Sequence, residues 1–446
     1  MTTNVSRPVA GKHVLILVQN LPVPLDRRVW LECQALVAAG FRVSVICPKG
    51  PGDPATQMLD GVRILKYNPP PDARGLAGFV VECVLAWLHT YRLARLLWND
   101  EPFDVIQACN PPDTFFLIGR LFRSRGVRFV FDHHDLCPEI YRSRFGRDRG
   151  IALHLLLALE RATFATADHV ISTNESYRAV ALNRGRKRRA DTTVVRSGPD
   201  PAVMKPGSPV PALKLGREHL CCYLGIMGHQ DGVDMVLRAA DVLVNQWGRT
   251  DVAFALMGFG DTYEDLRALC TELRLDDVVT FTGRAELPVI ADYLSTATVG
   301  LSPDPVTCFN DASTMNKTLE YMAFGLPVVA FDLTETRVSA GGAAVYADGE
   351  DPKAYATAIA DLLDDPERCA RLGAEGRRAI ESSLGWPHQA AAYRKVYEQL
   401  LGPDSPAVVD MGPRSITPVR PLAPRRPAFR RPARRPTPEL ARPSRS

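Results

Sequence analysis

The fold is decided by the stretch Asn310-Asp-Ala-Ser-Thr-Met-Asn-Lys317-Thr-Leu-Glu320-Tyr-Met-Ala-Phe-Gly325-Leu-Pro327-Val-Val-Ala-Phe-Asp332. Short polar side chains of the kind that cap helix N-termini stand at its start, and Gly325 and Pro327 are residue types that end helices. We therefore expect a helix over about residues 313–324. The apolar run at residues 327–332 predicts a short buried strand after it.

Lys317 and Glu320 stand three residues apart on one face of this predicted helix. The strand that follows places the helix N-terminus at the carboxyl edge of a parallel sheet, where α/β proteins bind ligands. Free backbone N–H groups and a lysine at that edge suit a diphosphate, and a carboxylate one turn deeper suits the two hydroxyls of a ribose. Apolar residues at helical spacing predict the face turned to the core: Leu319, Met322 and Ala323.

The pattern Lys317-x-x-Glu320-Tyr-x-Ala-x-Gly325-x-Pro327-Val-Val resembles the sugar-nucleotide motif of family 4 glycosyltransferases, which have the GT-B fold. The resemblance implies that Glu320 binds the nucleotide ribose and that Lys317 binds the diphosphate. The alternative is an ordinary capped helix that carries a surface Lys–Glu pair.

Strands and helices alternate along the first half of the chain, which favours a parallel sheet covered by helices on both faces. The fold class predicted for this half is α/β, with one doubly wound sheet. Strands are expected at residues 13–19, 42–48, 62–67, 104–108, 128–134, 169–173 and 192–196. Helices are expected at residues 27–39, 76–98, 112–125, 151–166 and 175–184.

A linker rich in Pro and Gly follows at residues 197–211, and the alternation then restarts. Two Rossmann-like doubly wound domains joined by a hinge put a cleft between their facing sheet edges. Strands of the second domain are expected at residues 219–225, 252–258, 278–283, 298–303 and 327–332. The resemblance implies an N-terminal acceptor domain at 1–200, a nucleotide-sugar donor domain at 201–385 and a helix crossing back at 386–401. The composition of residues 402–446 predicts a disordered basic tail.

The loop after the first predicted strand is Leu21-Pro-Val-Pro-Leu-Asp26, which has neither the Gly-x-Gly-x-x-Gly of a dinucleotide site nor a phosphate-loop lysine motif. Dehydrogenase and P-loop functions are therefore excluded. Asp26-Arg27-Arg28 opens the first helix and resembles the Asp-x-Arg element of family 4 enzymes of the envelope-polysaccharide type. Arg28 is predicted to contact a donor or acceptor phosphate, and the alternative is a surface ion pair with Asp26 or Glu32.

Imidazoles and carboxylates end the fifth predicted strand, in Phe131-Asp-His-His134-Asp135-Leu-Cys-Pro-Glu139. A metal site is the first interpretation of such a cluster, but adjacent strand positions point to opposite faces, so His133 and His134 make a poor chelate. In the family a histidine at this strand end hydrogen-bonds the transferred sugar. The resemblance implies this role for His134, with Asp135 beside it, and the alternative is a structural histidine that caps the next turn.

Gly228 and Gly232 follow the first strand of the second domain, where glycines let a phosphate approach backbone N–H groups. The sequence departs from the family pattern here. Ile226 and Asp231 occupy the places where many members carry an Arg and a Lys that clamp the diphosphate. We interpret the departure as a subgroup that binds its donor with Lys317 and backbone N–H groups.

A second departure is Ala312, eight residues before Glu320, where the common Glu-x7-Glu motif has its first Glu. Asp311 and Ser313 flank this gap and are candidates for substrate binding. Arg284 follows a glycine turn that resembles the family's turn near the nucleotide base, so it is a further candidate. A tight turn without a ligand is the alternative for Arg284.

The composition, with 46% hydrophobic and 23% charged residues, is that of a soluble globular protein. Ten cysteines without a Cys-x-x-Cys pair favour reduced thiols over a zinc site or a disulfide framework. The tail from residue 402 holds ten Arg and eleven Pro, which predicts disorder. We favour a solvated extension over contact with anionic lipid, and we expect no nucleic-acid partner.

The N-terminal residues lack a signal-peptide pattern, so we expect a cytoplasmic protein. The stretch 76–98 is interrupted by Glu82 and carries arginines, so it is not expected to span a bilayer. It suits either a helix packed on the core or an interfacial helix with an Arg-bearing face. An interfacial helix would place the protein peripherally on the cytoplasmic face of the inner membrane.

These features together predict a retaining glycosyltransferase of the hexosyl- or N-acetylhexosaminyl-transferase type. The expected donor is a UDP-sugar, and the expected acceptor is an envelope polysaccharide or a lipid-linked glycan. No metal or other cofactor is expected, because no Asp-x-Asp pair stands at the donor edge. The alternatives are a sugar-nucleotide epimerase on the same fold and a non-catalytic sugar-nucleotide-binding subunit. The predicted catalytic residues are His134, Asp135 and Lys317, and the predicted substrate-binding residues are Arg28, Gly228, Arg284, Asp311, Ser313, Lys317 and Glu320.

Overall fold

Two β-sheets organise the chain in the computed structural model, which describes residues 11–69, 75–146 and 149–402. The strands of the first sheet are β1 (His13–Leu17), β2 (Arg42–Pro48), β3 (Thr56–Leu59), β4 (Val62–Tyr67), β5 (Val105–Cys109), β6 (Arg128–His133), β7 (His169–Ser172) and β8 (Thr192–Val194). Their order across the sheet is β3-β4-β2-β1-β5-β6-β7-β8. All neighbours are parallel except β3, which runs antiparallel to β4.

The second sheet is parallel throughout its described strands. They are β9 (His219–Ile226), β10 (Val252–Phe259), β11 (Val279–Gly283), β12 (Val299–Ser302), β13 (Val328–Phe331) and β14 (Ala344–Ala347). Their order is β11-β10-β9-β12-β13-β14. In each sheet the strand that comes first in the chain, β1 or β9, lies inside the sheet, and later strands are added on both sides of it. Both sheets are therefore doubly wound, as the sequence predicts.

Helices fill most connections between the strands of both sheets. In the first half they are α1 (Arg27–Ala38), α2 (Gly75–Asp100), α3 (Phe116–Arg123), α4 (Cys137–Phe145), α5 (Ile151–Thr166) and α6 (Glu175–Asn183). In the second half they are α7 (Val233–Asp241), α8 (Tyr263–Glu272), α9 (Leu287–Thr296), α10 (Cys308–Ala312), α11 (Asn316–Ala323), α12 (Thr334–Ala340), α13 (Pro352–Leu363), α14 (Pro366–Ala379) and α15 (Trp386–Leu401).

The sheets are buried on both faces, which explains why their strands are continuous apolar runs. In β1, Val14 and Ile16 belong to one apolar core, and Leu15 and Leu17 belong to the core on the other face. All four side chains are fully buried. This alternation confirms the predicted arrangement of helices on both sides of each sheet.

The predicted strands are all present, and their bounds differ from the predicted ones by two residues at most. Two edge strands, β3 and β14, were not predicted from the sequence. β3 is antiparallel and half exposed, so it lacks the buried apolar run that marks the parallel strands. Helix α4 was also not predicted, because its sequence, Cys-Pro-Glu-Ile-Tyr-Arg-Ser-Arg-Phe, has no apolar stripe.

The helix predicted at 313–324 is shorter at its start. It is α11, which begins at Asn316 and has no side-chain hydrogen bond at its N-cap residue, Met315. Asn310 belongs to α10, where its amide nitrogen Nδ2 donates to the carbonyl oxygens of Gln230 and Pro305, each at 2.9 Å. The predicted end is right, because Gly325 adopts a left-handed conformation with φ of +71°.

Helix α15 packs on the first sheet although it follows the second sheet in the chain. Trp386, Tyr393, Val396 and Tyr397 are buried in the core that also contains α1. The Tyr393 hydroxyl donates to Gln107 Oε1 at 2.6 Å, and the Tyr397 hydroxyl donates to the same oxygen. This helix therefore ties the end of the described chain back to its beginning. The tail predicted to be disordered lies outside the described residues from 403 on.

Helix α2 has a core-facing side, in agreement with one of its two interpretations. Its buried residues recur at helical spacing: Ala86, Thr90, Ala94 and Leu97. Val81, Val84 and Leu88 lie on a different side and are about half exposed. Among the helices of the described residues, none combines the length and the apolar character that crossing a bilayer requires.

We expect Tyr393→Ala to destabilise the protein by about 3–5 kcal/mol, because it removes a fully buried ring and leaves Gln107 with fewer partners. Gln399→Ala is the matched control on the exposed side of the same helix and should change stability by less than about 0.5 kcal/mol. Urea unfolding followed by tryptophan fluorescence measures both. Equal unfolding midpoints for the two variants would contradict a structural role for α15.

Candidate active site

Loops at the carboxyl ends of the two sheets contact each other directly. Asn174, which follows β7, donates through Nδ2 to the Ala312 carbonyl at 2.8 Å and to Thr314 Oγ1 at 3.0 Å. The Ser176 hydroxyl donates to Glu335 Oε1 at 2.6 Å. These bonds make the two carboxyl edges face each other, which is the arrangement that places a cleft between parallel sheets.

Lys317 lies at the N-terminal end of α11, but its ammonium group is already paired. It forms an ion pair with Asp304, which is only 2% exposed, while Lys317 itself is 8% exposed. The other Asp304 oxygen accepts a hydrogen bond from the Ser302 hydroxyl at 2.6 Å. The Lys317 ammonium also lies 5.3 Å from the centre of the Tyr223 ring. The predicted cation is therefore present at this edge, with a buried carboxylate as its partner.

Glu320 lies one turn along α11 and pairs with a residue of the other sheet. Arg27 Nη1 donates to Glu320 Oε1 at 2.8 Å, although the two residues are 293 positions apart. Burial raises the pKa of Glu320, and Arg27 partly offsets this effect. The Glu320 carboxylate, which was predicted to bind ribose, thus points to the facing edge and is paired there with Arg27.

The loop after β9 places a carboxylate where a phosphate was predicted to bind. The Gly228 backbone N–H donates to Asp231 Oδ2 at 3.0 Å. Burial raises the pKa of Asp231 to about 6, and Lys317 lowers it in part. Gly232 has φ of +62°, and a Cβ there would lie 2.3 Å from the Pro303 carbonyl, so only glycine fits. The backbone N–H of Gly228 was predicted to donate to a phosphate, and in this structure it donates to Asp231.

Arg28, which was predicted to contact a phosphate, is paired with buried carboxylates in this structure. Its guanidinium is buried and forms two bonds with Asp132, Nη2 to Oδ1 at 2.7 Å and Nε to Oδ2 at 3.1 Å. It also lies 3.2 Å from Glu32 Oε1 and donates to Val195 O and Ser197 Oγ, each at 3.0 Å. These contacts all go to protein atoms and form a buried ion pair, and the predicted phosphate contact of Arg28 stays a prediction. Glu32 was the right alternative partner, but the pair is buried and not on the surface.

The other alternative partner of Arg28, Asp26, has a different role. Its side chain caps α1 by accepting from the Val29 backbone N–H at 3.1 Å. An aspartate at this position satisfies one of the free N–H groups of the first helical turn. Asp26 therefore fixes where α1 begins, and this in turn sets the direction in which Arg27 and Arg28 leave the helix.

His134 follows β6 and sits beside the buried carboxylate of Asp132, with 3.4 Å between Nδ1 and Oδ2. Its backbone N–H donates to Asn110 Oδ1 at 2.9 Å, which fixes the loop. Burial lowers the pKa of His134, but Asp132 outweighs burial and raises it to about 9. With this pKa the imidazole is protonated at neutral pH, so both ring nitrogens carry hydrogens that can be donated.

Asp135 shares this loop and is held by its backbone. Its N–H donates to Asn110 Oδ1 at 3.1 Å, and its carbonyl accepts from Asn110 Nδ2 at 2.6 Å. Burial raises the pKa of the Asp135 carboxyl to about 6. His133 points to the other side and packs between Phe131 and Phe164, so the two histidines do not converge on one ion.

Glu32, Cys109 and Asp132 form a buried group whose ligand-type atoms lie within 4.8 Å of one another. The Arg28 guanidinium contacts both carboxylates of this group. The cation that this group needs is thus an arginine of the chain, and we assign no metal to it.

Asp311 and Ser313, which were predicted to bind substrate, form hydrogen bonds with protein groups in this structure. The Asp311 carboxylate accepts from the Thr334 backbone N–H at 2.8 Å and from its hydroxyl at 3.0 Å. The Ser313 hydroxyl is buried and bonds with the Tyr177 hydroxyl at 3.0 Å. These side chains hold protein segments together, and Ser313 belongs to the contact between the two sheet edges.

Arg284 follows β11, as predicted, and is exposed. Its guanidinium carbon lies 5.3 Å from the centre of the Phe259 ring, which ends β10. An arginine stacked on an aromatic ring at a carboxyl edge is placed to contact a planar base. The structure leaves the predicted substrate-binding role of Arg284 a prediction.

Two residues of this site were not predicted from the sequence. Arg27 reaches Glu320 across the facing edges, and Asp304 neutralises Lys317. Arg27 stood beside the chosen Arg28, and α1 turns the two side chains in different directions because adjacent helical positions do not face each other. Asp304 lies directly after β12, at the carboxyl edge, which is the signal that could have found it.

Chemically, one edge offers Lys317 and the N-terminus of α11, which suit a phosphate. The facing edge offers a protonated histidine, which suits hydroxyl oxygens of a sugar. A carboxylate at the middle of α11 suits vicinal hydroxyls. This combination fits a sugar nucleotide better than a dinucleotide or a nucleoside triphosphate with its metal.

Comparison with known proteins agrees with this arrangement. A family model described as glycosyl transferase 4-like domain matches residues 25–198, and one described as glycosyl transferases group 1 matches residues 218–365. D-inositol 3-phosphate glycosyltransferase 1 of Catenulispora acidiphila is 28% identical over 367 residues, which cover 78% of this chain and 83% of that protein.

Solved structures share the fold over 87% of this chain. Sucrose-phosphate synthase from Thermosynechococcus elongatus has a TM-score of 0.70 at 20% identity, with 99% of its chain covered. HepE of Anabaena, solved in complex with UDP-glucose, has a TM-score of 0.64 at 14% identity, with 99% of its chain covered. The two family models match one sheet each, in chain order, and so the chain belongs to the family 4 glycosyltransferases with the GT-B fold.

Proposed function

We propose that this glycosyltransferase moves a sugar from a UDP-sugar, with retention of configuration, to an envelope polysaccharide or a lipid-linked glycan. The observation that carries the donor class is α11, which presents Lys317 and Glu320 one turn apart at the carboxyl edge of the second sheet. A diphosphate and a ribose are separated by about one helical turn in a nucleotide, so the two side chains suit these two groups. That HepE binds UDP-glucose supports UDP as the nucleotide.

In the proposed reaction the bond between the sugar anomeric carbon and the diphosphate oxygen breaks, and the acceptor oxygen bonds to that carbon. The acceptor proton leaves with the nucleotide diphosphate. Negative charge grows on the diphosphate as its bond breaks, and Lys317 with nearby backbone N–H groups is placed to stabilise it. Because Lys317 is held by Asp304, it does not have to reorganise when this charge develops.

His134 is proposed to bind the transferred sugar from the facing edge. A protonated imidazole donates hydrogen bonds to sugar hydroxyls, and Asp132 keeps it protonated. Asp135 is partly protonated near pH 6 and can donate or accept beside it. His134 is not proposed to remove a proton from the acceptor at neutral pH, because its pKa of about 9 leaves no lone pair free.

We further propose that transfer does not require a metal ion. Both oxygens of Asp304 already accept hydrogen bonds, from Lys317 and from Ser302. One oxygen of Asp231 accepts from the Gly228 backbone. These carboxylates serve the protein's own cation and N–H groups, so the leaving diphosphate is proposed to rely on cations of the chain.

A contact with a membrane surface is proposed from the outer side of the first domain. Val81, Val84 and Leu88 on α2 and Leu117 and Leu121 on α3 are large apolar side chains left about half exposed. Arg92 and Arg95 follow the first three on α2. Exposed apolar side chains beside arginines suit the boundary between acyl chains and anionic headgroups. We propose that this contact serves a lipid-linked acceptor, and the predicted cytoplasmic location remains part of this proposal.

Two further functions were predicted as alternatives, an epimerase and a non-catalytic subunit. The family models and relatives are glycosyltransferases, so we keep transfer as the proposed activity. An epimerase would convert one UDP-sugar into another without an acceptor, whereas a transferase hydrolyses its donor slowly at most. A binding subunit would do neither.

We expect one or more UDP-sugars in a panel to be hydrolysed slowly, with release of UDP, and to raise the melting temperature of the protein. Addition of EDTA should leave the rate of UDP release within about twofold, since the proposed phosphate partners are groups of the chain and not a metal ion. The measurement is coupled detection of UDP with chromatography of the sugar product. Formation of an epimeric UDP-sugar, or a rate lost with EDTA and restored by Mn²⁺, would contradict the proposal.

We expect Lys317→Ala to lower turnover at saturating donor about a hundredfold, by analogy with the loss of one oxyanion-hole donor, and to weaken UDP binding much less. The variant also strands the buried charge of Asp304, which by itself destabilises the fold. The double variant Lys317→Ala/Asp304→Asn removes both charges and is the matched control. Turnover within about threefold of wild type in the double variant, roughly 0.7 kcal/mol, would mean that Lys317 serves only Asp304.

We expect Val84→Glu to reduce binding to vesicles of anionic phospholipid several-fold, because a charge in the acyl boundary opposes insertion. Val338→Glu is the matched control, an exposed valine on α12 of the other domain, and should leave binding unchanged. Both variants keep the same basic tail, so any contribution of the tail cancels. Co-sedimentation of the full chain measures the bound fraction, and equal binding by the two variants would refute a contact through α2.

A further inference from the structure

The proposed donor site is short of cations for a diphosphate. Lys317 is neutralised by Asp304, and Asp231 adds a second carboxylate in the adjoining loop. Arg28, the other candidate, is buried with Asp132 and Glu32. A UDP-sugar carries two negative charges on its diphosphate, so a further cation has to come from elsewhere in the cleft.

Arg27 is the guanidinium that the structure brings to this place. It is the first residue of α1, and its side chain is 58% exposed. It reaches across from the first domain to Glu320, whose side chain is 15% exposed. Glu320 and Lys317 are three residues apart on α11, and side chains with this spacing have Cβ atoms about 5–6 Å apart. Through Glu320 the guanidinium thus contacts the helix that carries Lys317, the proposed partner of the diphosphate.

We propose that Arg27 is a donor-binding residue that exchanges Glu320 for the diphosphate when a UDP-sugar enters. This inference rests on the proposed function of the site. The ribose hydroxyls replace Arg27 as partners of Glu320, and the freed guanidinium bonds to phosphate oxygens, which match its planar fork. The cation missing from the second domain is thereby supplied by the first, so full charge compensation requires both edges of the cleft.

The exchange is physically reasonable because an exposed ion pair is weak. A pair with a guanidinium more than half in water contributes little stability and is readily broken. A purely structural role for the pair is disfavoured by the other contacts between the two edges. The bonds of Asn174 with Ala312 and of Tyr177 with Ser313 are more buried and already hold the edges together.

The proposed exchange predicts different effects on the binding of UDP and of uridine, which differ only in the diphosphate. In Arg27→Ala, affinity for UDP should fall about tenfold, because a charge-assisted contact to phosphate is lost. Affinity for uridine should stay the same or rise up to about twofold, because Glu320 no longer has to release Arg27. Glu320→Ala should weaken both ligands. Titration calorimetry with UDP and with uridine measures all four effects on the full chain.

The matched control is Arg144→Ala. Arg144 is another exposed arginine that pairs between the two domains, 3.7 Å from Asp261, and it belongs to no part of the proposed site. It should change neither affinity. Equal losses of UDP and uridine affinity in Arg27→Ala would mean that Arg27 only holds Glu320 in place, and this would overturn the inference. Unchanged UDP affinity would overturn it as well.

Titration of the wild-type protein distinguishes a wrong role for Arg27 from a wrong donor. Binding of UDP by wild type together with unaltered binding by Arg27→Ala refutes the role of Arg27 and leaves the proposed donor intact. Failure of wild type to bind UDP or any UDP-sugar refutes the proposed donor, and the role of Arg27 falls with it. Weakened UDP binding in Arg27→Ala that is largely recovered in Arg27→Lys supports a charge contact with the diphosphate.

Discussion

The buried guanidinium of Arg28 is the interaction on which the first domain depends. It joins α1 to β6 through Asp132, and it reaches the segment after β8 through Ser197. Glu32 accepts from Gln107, which in turn accepts from two tyrosines of α15. Removal of one partner from a buried ion pair costs about 3–5 kcal/mol, since the other charge stays unpaired. One charged network therefore connects the first helix, the central strands and the last helix.

The same network sets the chemistry of the cleft. Burial alone would raise the pKa of Asp132, but Arg28 lowers it, so this carboxylate stays ionised. An ionised Asp132 next to His134 keeps the imidazole protonated. Burial and Asp132 together raise the pKa of Glu32 to about 8, so the group carries few net charges despite its many ionisable atoms. Structural stability and the protonation state of the proposed sugar-binding residue thus have one physical cause.

The parts of the structure that follow local patterns could be predicted, and those that depend on distant pairs could not. The continuous apolar runs predicted the strands of the two sheets. Gly325, which adopts a left-handed conformation, predicted the end of α11. The partners of the site residues were missed because they are remote, with 104 positions between Arg28 and Asp132 and 293 between Arg27 and Glu320. An arginine in the first turn of a predicted helix gives no sign of whether its side chain will be buried or exposed. Only the packing of α1 decides it.

The pairing of Lys317 with Asp304 has a consequence for catalysis that a free lysine would not have. A cation with a buried partner attracts a diphosphate less in the ground state than an unpaired one. Its position is nevertheless fixed, so in the proposed reaction it would still stabilise the charge that appears as the bond to the diphosphate breaks. Asp231 lowers ground-state attraction further. With the proposed UDP-sugar donor, such a site would bind the released nucleotide diphosphate weakly and keep its effect on the transition state, which would favour product release.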